Sequence, residues 1–589
     1  ILIDNGVSIP IRVTGLGVDH LINIEADGNY IIDAKEYKFL HISSCFPRKG
    51  VDILLKAYAE TFTINDDVSL IIKTFKNPHN DVDLLIKDLN NIYPLLPDIV
   101  LLTEDLTQEE IKSLYLQSNS LVAPSRGEGF GLPIAEAMLL GLPVITTDWG
   151  GQKDFCKLNN SWLIDYKFVE AKSHFNLDNS YWAEPSLSNL CQLLREVYSL
   201  SRNQIEEKTI PAKELIKTFT WDKVVDKNLL AIRESFSNYN IRKSRIGWIT
   251  TWNAKCGIAS YSRRLIENMN ENIHIFSPLT QTKPFGKDEL LIPCWNYPPS
   301  SSNDLDDLYE EIISAKITSL VIQFNYGFFE FNQLEDLINK LVSSGINIIV
   351  FMHSTIDPTD HKEKCLHLLK QAFDKCDRII VHSIEDLNRL KLMGLIDNVA
   401  VFPHGIIDSI IDKYQPKYFN RRNKKHIKLV VNSYGFCLPG KGFNELIRAI
   451  YLLKNESFNV KLNIFSAIYS NEYVWLYDEL VQLINQLEVS DLVNINSEYL
   501  PESEILINLS KADLLVFPYQ YSSESSSASA RDGLATLRPT LVTPLPIFDD
   551  IANLVDFFSG TTPEDLASGL RNWYIQNINN LSNTSQYQS

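Results

Sequence analysis

Two stretches of this 589-residue chain, nearly four hundred residues apart, carry the same punctuation. Lys49-Gly50, in SSCFPRKGVDILLKAY, is matched by Lys441-Gly442, in SYGFCLPGKGFNELIRAI, at an offset of 392. NSLVAPSRGEGFGLPIAEAMLLGLPVIT is matched by ADLLVFPYQYSSESSSASARDGLATLRPTLVT. There Glu128 pairs with Glu524, Glu136 with Asp532 and Pro143 with Pro539, each at an offset of 396. Both copies read glutamate, seven residues, an acid, six residues, proline. A repeat of that kind decides architecture first, because both copies must fold as the same unit.

The repeated unit alternates short apolar stretches with helical patterns. KFLHISS precedes VDILLKAYAETF, VSLIIKTF precedes VDLLIKDLNNI, and SLVAPS precedes PIAEAMLLG and then PVITTD. Strands apolar on both faces, separated by amphipathic helices, predict α/β layers with doubly wound parallel sheets. Right-handed crossovers put the strand-to-helix loops on one edge of each sheet, where ligands of open α/β sheets bind. A chain of this length holds three to five domains at about 100–200 residues each.

The repeat sets the boundaries. Residues 1–17 end one domain, read as lacking its amino-terminal part in this chain, and 18–222 form a Rossmann-like domain. A polar linker helix occupies 223–245. Residues 246–404 form a second α/β domain, 405–575 a third that copies the first, and 576–589 a polar tail. The first residues, ILIDNGVSIPIRV, have neither the basic n-region nor the apolar h-region of a signal peptide.

Composition removes several functional classes. With 55 basic against 73 acidic residues the net charge is −18, which argues against a nucleic-acid backbone as partner. No apolar run approaches the roughly 18 residues of a membrane-spanning helix. The eight cysteines are scattered without a CxxC pair, the usage of a reducing cytosol.

Chemistry concentrates at residues 124–148. SRGEGFG is a loop whose glycines let backbone approach a ligand. Pro133 opens a helix and Gly141 closes it. Glu128 then lies in the loop and Glu136 about one turn into the helix, facing the same cleft. Free amides there suit a phosphate, whereas two carboxylates suit sugar hydroxyls. A ligand that is both sugar and phosphate satisfies both, and Lys49 supplies a cation for a diphosphate.

Lys49-Gly50, the segment Glu128-Gly129-Phe130-Gly131-Leu132-Pro133-Ile134-Ala135-Glu136, and Gly141-Leu142-Pro143 resemble the retaining family-4 (group 1) glycosyltransferases of the GT-B fold. The tandem arrangement resembles bacterial polysaccharide and O-antigen mannosyltransferases. The resemblance runs over 17–222 and 246–575, one and a half modules of paired Rossmann-like domains. It implies that Glu128 contacts the donor sugar, Glu136 holds the nucleotide ribose and Lys49 neutralises the diphosphate. The arginine expected five or six residues before the lysine is absent: Ser43 and Ser44 stand there, leaving Arg48 as substitute.

In the second copy Lys441, Glu524 and Asp532 take these roles. Ser525, Ser526 and Ser527 replace the glycine loop, and Phe436 and Gly435 stand where the arginine would be. Gly257 opens a helix in IGWITTWNAKCGIASYSRRLI, and His353 ends the strand NIIVFM, where the family places a histidine facing the donor sugar. PHGI at 403–406 and GLGVD at 15–19 resemble interdomain hinges.

The implied activity is metal-independent hexosyl transfer with retention from a nucleotide diphosphate sugar, GDP-mannose as first candidate, to a glycan or lipid-linked glycan. No further cofactor is implied. The implied setting is cytoplasmic assembly of O-antigen lipopolysaccharide or a related polysaccharide, peripheral to the inner face of the membrane if the acceptor is lipid-linked. Plainer readings stand beside each residue. The acids can be solvated loop and helix-dipole residues, the serines a low-complexity loop, and His353 a hydrogen-bonded core histidine. His361, Cys365 and His367 read as a solvated helix face rather than a metal site. A non-catalytic scaffold that binds nucleotide sugar or glycan is the alternative for the whole chain.

Overall fold

The computed structural model describes residues 11–236 apart from 176, 178 and 179; residues 244–407 apart from 253, 255, 280–289, 298–304 and 360; and residues 428–582. Expectations for residues 1–10, for the linker at 237–243, for 408–427 near the start of the third domain and for 583–589 of the tail fall outside these. The chain divides into two compact units, Ile1–Ile241 and Arg242–Ser589.

In the first unit the strands are β1 (Tyr37–Ile42), β2 (Val68–Lys73), β3 (Asp98–Leu102), β4 (Ser120–Ala123), β5 (Val144–Thr147) and β6 (Trp162–Ile164). They form one parallel sheet in the order β3-β2-β1-β4-β5-β6. Every residue of β2 is buried, as expected of a strand covered on both faces. The pleat divides the core in two. Phe39, Leu70, Ile72 and Val122 enter one apolar cluster, while Leu40, Ile71 and Leu121 enter the other. A hairpin of β7 (Tyr166–Glu170) and β8 (Tyr181–Pro185), which the α/β alternation does not announce, follows β6.

The second unit contains two parallel sheets. One joins β9 (Ile246–Ile249), β10 (Ile273–Pro278), β11 (Leu291–Trp295), β12 (Ser319–Phe324), β13 (Asn347–Met352), β14 (Arg378–Val381) and β15 (Val399–Val401), in the order β11-β10-β9-β12-β13-β14-β15. The other joins β16 (Leu429–Tyr434), β17 (Val460–Phe465), β18 (Val493–Asn496), β19 (Leu514–Phe517), β20 (Thr540–Val542) and β21 (Asp556–Phe557), in the order β18-β17-β16-β19-β20-β21. That is the strand order of the first unit's sheet, connection for connection. Two Rossmann-like sheets lining one cleft make the second unit a GT-B module.

The repeat has a steric cause at one position. Gly50 and Gly442 each precede a helix (Val51–Thr61 and Phe443–Asn455) with φ of +69° and +73°. A Cβ at either would run into a carbonyl oxygen, that of Pro124 or of Pro518. Only glycine fits a left-handed residue pressed against the neighbouring strand end.

Two expectations change. The helix Trp221–Phe236 is not polar all round: Trp221, Val225, Leu229 and Ile232 form an exposed apolar stripe at helical spacing. The last helix runs from Pro563 to Ser582, so the tail's first residues are helical despite their polar composition. Apolar positions further back, Leu566 and Leu570, are buried and anchor it. No helix among the described residues is long and apolar enough to cross a membrane.

Candidate active site

In the first unit the loops after β1 and β4 meet at the sheet's carboxyl edge. Lys49 Nζ donates to Glu128 Oε1 at 2.5 Å, with both side chains largely buried. Arg48 Nη1 donates to the Gly127 carbonyl at 3.0 Å and lies 3.9 Å from Glu128. Ser43 is already engaged, its hydroxyl against His41 and the Cys45 amide. Pro133 and Gly141 bound the helix Leu132–Leu140 as the residues require. Glu136, 9% exposed, accepts from Tyr115 Oη at 2.7 Å and pairs with His20 Nε2 at 2.9 Å. Gly131, with φ of +87°, lets the loop turn into the helix, and the Gly151 amide bonds the Glu128 carbonyl. Phe130 packs on Phe155 and Phe219, and Leu132 joins the same core, so both are packing residues here.

Sequence reasoning missed Arg126 and Lys73. The Arg126 guanidinium is buried, forks to Asp52 and Glu184 at 2.5–2.8 Å and donates to the Pro47 carbonyl. It ties the Lys49 loop to the Glu128 loop and to the hairpin. Lys73 ends β2 and lines a hollow with Lys49, Arg48, Ser43 and Ser44. It lies where a second cation for phosphate is useful, although its Nζ is held by the carbonyls of Thr74 and Glu104. A lysine at the end of an apolar strand was the available signal.

In the second unit a cavity of about 400 Å³ lies between the two sheets, lined by Gly257 and His353 on one wall and Lys441, Glu524, Ser526 and Asp532 on the other. Lys441 Nζ stands 3.8 Å from Glu524 and 4.1 Å above the Tyr519 ring. Burial works against its charge, but Tyr519 and Glu524 more than offset that and hold its pKa above the usual lysine value. Asp532 is the reverse case. Burial raises its carboxyl to about 6, although Arg264 Nη2 donates to it at 2.9 Å. The same guanidinium bridges to Glu502 at 2.8 Å, so a residue from the helix Gly257–Glu267 occupies the Asp532 carboxylate.

The serine loop reaches the opposite wall. The Ser525 amide donates to the His353 carbonyl at 3.1 Å, and Ser354 Oγ to the Ser523 carbonyl at 2.5 Å. Ser527 caps the helix Ala528–Leu534 through the Ala530 amide, and Ser526 donates to Asp550. Both hydroxyls therefore have protein partners, while the buried Ser525 hydroxyl has none. Where the arginine was sought, Phe436 stacks near Tyr499 and Tyr469.

His361, Cys365 and His367 do not converge. His361 is exposed beside Glu363, and Cys365 contacts Asp357.

Residues 24–173 match the model of the group 1 glycosyl transferases. The match falls on the sheet that carries Lys49, Glu128 and Glu136, the residues on which the resemblance was drawn. The serotype-specific mannosyltransferase WbdA of Escherichia coli is 31% identical over 160 residues, 24% of this chain and 19% of that one. The O-antigen chain mannosyltransferase RfbU of Salmonella typhimurium is 31% identical over 115 residues, 19% of this chain and 30% of that one. These matches span less than a third of either relative's length. Among solved structures, sucrose-phosphate synthase from Thermosynechococcus elongatus has a TM-score of 0.45 at 12% identity, covering 58% of this chain and 92% of that one.

Proposed function

We propose that the chain is a hexosyltransferase that moves a hexose, mannose first among candidates, with retention from a nucleotide diphosphate sugar such as GDP-mannose to a growing glycan of the O-antigen kind. The observation that carries this reading is the convergence of His353, Lys441, Glu524 and Asp532 on one cavity of the second unit. The mannosyltransferase relatives support the sugar, and the phosphate-plus-diol chemistry of the site supports the donor class.

In this mechanism the bond between the anomeric carbon and the diphosphate oxygen breaks while the acceptor oxygen bonds that carbon on the same face. The acceptor's proton passes to the departing diphosphate. The transition state is oxocarbenium-like, as in glycoside hydrolysis. Lys441 stabilises the leaving charge, Asp532 takes the ribose diol once Arg264 yields it, and Glu524 and His353 hold the sugar. The two walls exclude water that would hydrolyse the donor. We assign the leaving group's neutralisation to lysine and backbone amides, without a metal ion.

The hold of Arg264 on Asp532 favours a second reading, a module that binds nucleotide sugar or glycan without transferring it. Assays of transfer and donor hydrolysis over a panel of nucleotide sugars separate the two. Transfer that falls in Lys441→Ala, Glu524→Gln and His353→Ala, with unchanged melting, supports the enzyme. Donor binding without turnover supports the scaffold.

A further inference from the structure

Three adjacent strands of the second unit's first sheet, β13, β14 and β15, each lead at the carboxyl edge to a histidine: His353, His382 and His404. One ring nitrogen of each lies within 4.8 Å of the other two. All three line the cavity. Among the described residues this is the one group of three or more potential ligands gathered so closely.

The hydrogen bonds around the rings select ligand tautomers. His382 Nδ1 lies 2.9 Å from the Phe402 carbonyl, which can only accept, so Nδ1 carries the proton and Nε2 a lone pair. That Nε2 is buried, in a side chain 1% exposed, and has no hydrogen-bond partner. A buried acceptor left without a partner is unfavourable, so something is expected to fill it. His353 Nε2 lies 2.6 Å from Gln323 Oε1 on the neighbouring β12, which makes Nε2 the protonated nitrogen and frees Nδ1. An imidazole whose far nitrogen is fixed by a carbonyl or amide oxygen is the usual outer shell of a metal-bound histidine.

We propose that His353, His382 and His404 form a three-imidazole site for a divalent first-row transition metal of the zinc class, its open position toward the cleft. Imidazole sets of this kind suit zinc, copper, nickel and cobalt rather than magnesium or calcium. Metal–nitrogen bonds of about 2.0–2.1 Å place tetrahedral ligands about 3.4 Å apart. Binding would therefore draw the three rings together by side-chain rotation. Tyr261 sets a phenol among the rings, 5.2, 5.5 and 4.3 Å from those of His353, His382 and His404, and its hydroxyl is a second buried group without a partner. Arg531 opposes a cation here, since its Nε bonds the His404 carbonyl, but its charge is matched by Asp550. The ion would stand on the β13–β15 wall, across the cleft from Lys441. His382 and His404 take no part in the transfer reading, whereas His353 is shared with it, its free Nδ1 committed to the ion when one is bound; leaving-group neutralisation stays with the lysine.

The test reads metal alone, on untagged full-length protein freed of metal by a chelator. Titration with Co²⁺ is expected to give the intense visible bands of a four-coordinate site at one ion per chain, displaced by Zn²⁺. Absorption fine structure at the zinc edge is expected to show imidazole nitrogens. His404→Ala, on the half-buried loop, and His382→Ala should each weaken binding at least tenfold. His361→Ala, with its exposed ring, should not. No saturable Co²⁺ binding, fine structure showing oxygen ligands only, or equal affinity in His404→Ala and the parent would overturn the site. Because the readout is metal binding alone, these outcomes are distinguishable from failure of the transfer reading.

Discussion

The two copies of the repeat share a scaffold and differ in who neutralises their acids. Gly50 and Gly442 have the same left-handed conformation against the same strand-end carbonyl. In the first unit Glu128 is bonded by Lys49 at 2.5 Å, and Glu136 by Tyr115 and His20. In the second unit Lys441 stands 3.8 Å from an exposed Glu524, and Asp532 is held by Arg264 from the facing wall. Steric requirements have kept the scaffold alike while the charged partners have diverged. In the second unit, neutralising Asp532 is thereby coupled to the approach of the two sheets that line the cleft.

The largest expected effect lies beneath the sites. Each copy has a buried arginine near its loop, but their partners differ in access to water. Arg531 and Asp550 are 2% and 10% exposed, whereas the partners of Arg126, Asp52 and Glu184, are 46% and 30% exposed. Removing Arg531 leaves a buried carboxylate uncompensated, which costs about 3–5 kcal/mol. Removing Arg126 lets both acids rehydrate and costs about 1–3 kcal/mol. Hydrogen exchange of β19–β21 in Arg531→Ala, against β4–β6 in Arg126→Ala, measures both. Equal losses would show that partner exposure does not govern the cost.

The next effect is pH-dependent. Asp532 has a folded pKa of about 6 against an unfolded 3.8, because burial outweighs Arg264. The folded state then binds the proton more tightly. For this group stability is greatest below about pH 4, falls as pH rises through 4 to 6, and is level above. The full change is about 3 kcal/mol at most, at about 1.4 kcal/mol per unit. Denaturation of the parent and Asp532→Asn across pH 4–7 should show their difference growing through that window. A constant difference would mean that pairing with Arg264, not burial, dominates.

The sheets, the repeat, the helix bounded by Pro133 and Gly141, and the meeting of Lys49 with Glu128 were legible because apolar period and interval are local properties. The three histidines were not assembled by sequence reasoning, since they sit on separate strands that only sheet order makes adjacent. Arg264 was invisible for the same reason, its partners lying more than two hundred residues away. The serine loop stands where the first copy has its glycine loop, and only coordinates show Ser526 and Ser527 occupied by protein partners. The hairpin Tyr166–Pro185 interrupts the α/β rhythm, and rhythm was the evidence for the rest.

A smaller effect separates the lysines. If the second unit carries transfer, Lys441→Ala removes a charge-assisted contact to the leaving diphosphate, worth about 1.5–3 kcal/mol. That is a 10- to 150-fold drop in rate, at about 1.4 kcal/mol per tenfold. Lys49→Ala should leave that rate within about twofold, because the described part of its unit supplies one Rossmann-like sheet rather than two facing walls. Single-turnover transfer by both variants of the full chain is the measurement. A larger loss in Lys49→Ala would move the active site to the first unit.

The smallest difference concerns the stability contributed by the two glutamates. Glu524 is 58% exposed and 3.8 Å from Lys441, a pair of the kind that contributes about 0–1 kcal/mol in water. Glu128 is 9% exposed, accepts from Lys49 at 2.5 Å and also from Ser125 Oγ at 2.8 Å. Replacing it with glutamine leaves a largely buried ammonium without its counter-charge, at about 1.5–3 kcal/mol. Glu524→Gln should therefore shift the stability of its unit by less than about 1 kcal/mol while still lowering transfer, since an amide accepts sugar hydroxyls less strongly than a carboxylate. Glu128→Gln should show the opposite pattern, with a clear loss of stability and little change in the second unit's transfer. Exchange protection and single-turnover rates on the same two proteins decide it. Stability losses of equal size would mean that the Lys441–Glu524 pair is tighter in solution than its 3.8 Å separation implies.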